Sequence, residues 1–182
     1  MKLQLRDYPR IAIFVGLIAA LGVVPAVNIL PGVPVTAQTL GVMLAGAVLG
    51  SFRGTLAVLI FEVLVLAGLP LLAGGRGGAA VFTGPTAGYL IGWLIGAWLI
   101  GFIIATLPKL NLAVSSLLAF IVGGIVAIYV PGILWYSYSQ GFPILAVAQG
   151  NLVFLVGDSV KIVIAVLVLL GIKAAYPKAL VN

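Results

Sequence analysis

Apolar residues run along this chain in stretches of 15 to 24, interrupted by Gly and Pro more often than by charge. Taking those interruptions as ends gives six segments, at residues 11–30, 36–50, 54–70, 84–107, 112–130 and 150–172. A bilayer core about 30 Å thick needs about 20 apolar residues at a rise of 1.5 Å. Six such segments use most of the chain. The second and third are short, as expected of spans that tilt, re-enter, or carry irregular backbone lining a cavity. The pattern predicts an all-α integral membrane protein, a six-transmembrane-helix bundle forming a single transmembrane domain over residues 1–182.

Composition agrees. Of 182 residues, 64% are apolar and 7% charged, far from the roughly 25% charge of a soluble domain. Disorder is excluded by the same numbers, because disordered chains are polar and highly charged. The net charge of +6 forms no patch that would suit nucleic acid. Alternating the six spans puts Lys2, Arg6, Arg10, Arg53, Lys109, Lys173 and Lys178 on one side and Arg76 alone on the other. By the positive-inside rule the crowded side is cytoplasmic, with both termini, in a cell membrane crossed several times. The basic opening followed by an apolar run has the outline of a signal peptide, but the run is long and no Ala-x-Ala pattern closes it, so it is expected to remain as a span.

The chain has no Cys and no His, which removes thiol nucleophiles, zinc sites of the usual ligands and imidazole-based triads. No cofactor or metal is expected, and no enzyme. No Lys follows a Gly, so a Walker phosphate loop is impossible. Uphill transport would need an ion gradient or another protein's ATPase.

Three ionisable residues lie within spans, each costing roughly 2.5–3.5 kcal/mol on insertion scales: Glu62, Asp158 and Lys161. Asp158 and Lys161, three apart, share a helical face and neutralise one another. They form either a structural ion pair or a clamp for a ligand offering both a donor and an acceptor, such as a cyclic urea. Glu62 is expected to be a buried, bundle-facing carboxyl. Thr36 and Gln38 stand at a helix start, where capping is the simpler role for Thr36. The segment AGGRGGAAVFTGPTAGY, residues 73–89, carries Gly74 and Gly75, whose backbone a ligand can approach, and Arg76, either a carboxylate partner or a solvated cation. Gly84, Gly88, Gly92 and Gly96 form a bare stripe suited to helix packing, and Ala12, Gly16 and Ala20 a similar ladder for internal packing or for docking a membrane partner. Trp135, Tyr136, Tyr138 and Phe142 form either an interfacial aromatic belt or a cavity wall.

The stretches PVTAQTLGVMLAGAVLG at 34–50, GLPLLAGGRGG and GPTAGYLIGW within 68–93, and GDSVKIVIA at 157–165, in this order, resemble the BioY family, the biotin-specific substrate-binding (S) components of energy-coupling factor (ECF) transporters. The resemblance implies a six-helix bundle that binds biotin on the extracellular side and works with a transmembrane coupling (T) subunit and two ABC ATPases. It implies that Asp158 and Lys161 contact the ureido group; the expected site also takes in Thr36, Gln38, Gly74, Gly75, Arg76 and Tyr89 from the outer segments. Ala12, Gly16 and Ala20 correspond to the docking pattern of the first helix. Ala87 departs from the expected second Gly of the GPT-GGY pattern, which leaves the position of Tyr89 open. The alternatives are an ion-coupled secondary transporter with Glu62, Asp158 and Lys161 as a relay, and a scaffolding subunit that binds nothing.

Overall fold

The structure, a computed structural model, describes residues 3–176 and Leu180; Lys2 and Lys178 lie outside the described residues. It contains helices α1 (Asp7–Leu21), α2 (Gln38–Leu66), α3 (Ala87–Thr106), α4 (Leu112–Gln140) and α5 (Ile144–Ala175). A two-stranded antiparallel ribbon, β1 (Val27–Leu30) and β2 (Val33–Val35), turns at Pro31-Gly32 between α1 and α2.

The expected six-transmembrane-helix bundle is corrected in two places. Among the described residues four helices, α2 to α5, are long and apolar enough to cross a membrane. The first predicted span fails because α1 ends after 15 residues, about 22 Å of helix. Pro25, which has no N–H and disfavours helix in the residue before it, directs the remaining apolar residues into the ribbon. The second and third predicted spans follow one another without a loop in α2, as two helices meeting at a kink where Gly50 takes non-helical angles (φ 77°, ψ 175°) that a side chain would oppose. The bend is sharp enough that a methyl on Gly54 would lie 2.6 Å from the carbonyl oxygen of Ala45.

Gly88, Gly92 and Gly96 of the glycine stripe form a packing surface, whereas Gly84 lies ahead of α3 and a methyl there would meet only the carbonyls of Ala80 and Val81. A methyl on Gly88 would collide with the Pro131 carbonyl and Trp135, on Gly92 with Ile128, on Gly96 with the Gly123 carbonyl, and on Gly101 with the backbone at the Gly50 bend. So α3 lies backbone to backbone against α4 and α2. In α4 the segment Phe120–Val126 widens to a π-helix and Pro131 sits in the next turns, which shifts the helical phase of everything after it.

Two buried polar side chains hold the ends. At one end Arg53, next to the bend, pairs with Asp7 at the start of α1, Nε to Oδ2 2.9 Å, and the Gln4 N–H donates to the same oxygen at 2.9 Å. Arg53 is therefore a buried tie between α1 and α2. At the other end the fully buried Gln38 donates to the carbonyls of Ile18 (3.1 Å) and Leu71 (3.0 Å) and accepts from the Ala73 N–H (3.1 Å). One amide thus joins α1, α2 and the loop after α2.

Two outcomes are expected. Gly101→Ala should cost about 1–3 kcal/mol through overpacking, read as a fall in Tm in detergent, while Gly16→Ala, whose added Cβ meets nothing within 4 Å, should cost little; equal losses would contradict the packing described. Asp7→Asn should lower Tm at neutral pH. The Gln4 N–H, and then the Arg53 guanidinium, hold the Asp7 carboxyl below its usual range. The stabilisation is full above the unfolded carboxylate value of about 3.9 and disappears as pH falls through the lower folded value. A gap between the two proteins that persisted below about pH 2 would rule this out.

Candidate functional site

Six segments converge near the Gln38 end: the ribbon, the start of α2, the loop of residues 67–78, the start of α3, and the facing turns of α4 and α5. Between them is a cavity of about 70 Å³. Trp93, Leu90, Ile128 and Phe154 provide apolar wall, and Asp158, Lys161, Thr39, Tyr129, Tyr89 and Arg76 are among the polar residues that line it.

Asp158 and Lys161 face this cavity together. Lys161 Nζ is 2.8 Å from Asp158 Oδ1 and donates also to Thr39 Oγ1 at 3.0 Å, across to α2. The Tyr129 hydroxyl of α4 donates to the other carboxylate oxygen, Oδ2. Asp158 is 4% exposed. A charge pair at that depth is tolerable only when its remaining lone pairs and protons are matched, and here three helices supply the matches. Each carboxylate oxygen keeps a lone pair and the ammonium a third N–H, so the pair can still accept from one group and donate to its neighbour.

The other expected residues fall into distinct positions. Thr36 lines the cavity and its Oγ1 accepts from the Gln38 N–H at 3.3 Å, one residue ahead of the N-cap position, which Ala37 occupies. Gln38 also reaches the cavity, but its amide is committed to the three backbone groups already named. Tyr89, buried one turn into α3, lines the cavity despite Ala87, and donates to Asn151 Oδ1 at 2.8 Å; Asn151 in turn donates to the Val147 carbonyl.

Gly74 and Gly75 have φ of 77° and 70° and make the tight turn between the paired Leu72 and Arg76. They do not line this cavity; Gly74 borders an open recess outside it, shared with Arg76. The Arg76 guanidinium lies between the two, donating to the carbonyls of Ala73 (3.2 Å) and Gly32 (3.4 Å). Partial burial lowers its pKa from the ordinary arginine range, yet a guanidinium stays charged at any working pH.

Ala12, Gly16 and Ala20 are all exposed on α1, so internal packing does not explain the ladder. The aromatic cluster is not a cavity wall. Trp135 donates to the Gly84 carbonyl (2.9 Å), Tyr136 to that of Pro31 (3.2 Å), and Tyr138 and Phe142 are exposed. Glu62 is buried away from the cavity, and no hydrogen bond reaches its Oε1 among the described residues.

Sequence reasoning missed Thr39, Tyr129 and Asn151. Thr39 had a usable signal, standing one helical turn after Thr36. Tyr129 had none, since the π-helical turns before it put its facing direction out of phase with any regular pattern.

The BioY family model matches residues 1–178. Relatives named biotin transporter BioY include that of Rhodobacter capsulatus, 47% identical and covering 96% of this chain and 97% of the relative, and that of Rhizobium etli, 43% identical over 94% and 95%. The fold matches the crystal structure of an S-component for biotin from an ECF-type ABC transporter with a TM-score of 0.89, at 34% identity, over 93% of this chain and 91% of the other. Whole-length agreement in family, sequence and fold, on a membrane protein whose cavity holds the matched polar pair, makes this chain a member of the BioY family.

Proposed function

We propose that this chain, as one transmembrane domain, takes up biotin as the S component of an ECF-type ABC transporter. It binds the vitamin from the extracellular side and delivers it inward together with a transmembrane coupling subunit and two ABC ATPases. The observation that carries this reading is the matched ion pair of Asp158 and Lys161 at an apolar-walled cavity. Biotin's ureido ring offers an N–H to the carboxylate and a carbonyl to the ammonium. The fused rings suit the wall of Trp93, Leu90 and Phe154, and Arg76 is the counter-charge for the carboxylate tail. Gln38, Thr36, Gly74, Gly75 and Tyr89 act as support: they shape and hold the segments around the ring system. The exposed ladder Ala12, Gly16 and Ala20 is the face we assign to the coupling subunit, because small side chains let another helix approach closely.

The ion-coupled alternative needs a relay between Glu62 and the pair. No hydrogen bond links them among the described residues, which favours a partner-driven carrier.

Asp158→Ala and Lys161→Ala should each lower biotin affinity more than about tenfold, above about 1.4 kcal/mol, by isothermal titration of purified protein. Removing one member leaves the other buried and unpaired, so the uncharged double variant Asp158→Asn with Lys161→Met serves as the folded control. Normal binding by folded variants would discard the site.

A further inference from the structure

Lys161 holds a third residue whose part in recognition has not been assigned. Of its three N–H donors, one goes to Asp158 and one to Thr39 Oγ1. A hydroxyl has one proton and two lone pairs. With a lone pair of Thr39 facing the ammonium, its proton points elsewhere, and among the described residues Thr39 makes no other hydrogen bond. Back-bonding to the helix, the usual use of a Thr proton, is unavailable at the second residue of α2, which has no turn before it. Thr39 is half-buried and lines the cavity. A donor without an acceptor therefore stands at hydrogen-bond distance from the same ammonium that holds Asp158, and all three residues line the cavity.

We infer that Thr39 determines specificity: its O–H and the third Lys161 N–H converge on one acceptor atom of the ligand, beside the N–H that Asp158 accepts. This rests on the biotin reading and sharpens it. The ureido oxygen is held by two donors from different helices, α2 and α5, so the site selects a neutral cyclic urea over an isosteric guanidinium. The guanidinium presents N–H groups and positive charge where the urea presents lone pairs, and meets two donors and an ammonium.

The test uses biotin and 2-iminobiotin, which is a guanidinium at neutral pH and differs at that one atom. Both are titrated into the wild type, Thr39→Val and Thr39→Ser in detergent, with iminobiotin read by competition up to millimolar concentration and Tm checking the fold. Valine keeps the shape and removes the O–H. It should lower biotin affinity about tenfold and leave iminobiotin affinity unchanged or raised, so the preference narrows by at least that factor; serine should restore it. If valine does not fold, Thr39→Ala is read by the same ratio. An equal loss for both ligands means a structural role, and an unchanged biotin affinity means no role; either overturns the inference. A wild type that binds neither ligand refutes the biotin reading itself, whereas biotin binding with a preference indifferent to Thr39 refutes only this inference.

Discussion

A carboxylate and an ammonium are kept together inside an apolar bundle, and much of the architecture around them exists to make that tolerable. Either charge alone would cost several kcal/mol at this depth. The pair is held by local spacing, one turn apart on α5, but its surplus hydrogen-bonding capacity is met by Thr39 from α2 and Tyr129 from α4. Three helices must keep register for the site to exist. Recognition and stability are therefore carried by the same few atoms, and a ligand completes a network that the protein has already largely oriented.

That register depends on close backbone approach. Between helices in a membrane there is little hydrophobic force to spend, so contact area and fit decide association. The glycines of α3 let α4 and the bend of α2 approach until main-chain atoms touch. The approach fixes where the later turns of α4 lie, and so where Tyr129 presents its hydroxyl. The wide turns from Phe120 to Val126 and the internal Pro131 are irregularities that regular helix packing would avoid. They sit on the helix that must deliver one side chain to Asp158.

The apolar pattern made the membrane-embedded, helical nature of the protein legible, and the charge spacing on the last span made its central pair legible. Both signals are local: hydropathy over about 20 residues and a separation of three. The crossing count was less accessible. A single glycine with positive φ lets two expected spans abut at a kink with no loop between them, Pro25 follows the early end of another, and neither effect alters hydropathy. The pairing of Arg53 with Asp7 was not legible, because the two lie far apart along the chain. Gln38 was named correctly, but its commitment to three backbone groups from α1 and the following loop depends on contacts that no spacing encodes.

That commitment has a mechanical side. The oxygen and nitrogen of one buried amide grip the last turns of α1 and the hairpin that carries Arg76. Force applied along the short first helix is thereby transmitted, without crossing the bundle, to the rim where a solute enters or leaves. A neighbour leaning on α1 would have a handle on the doorway.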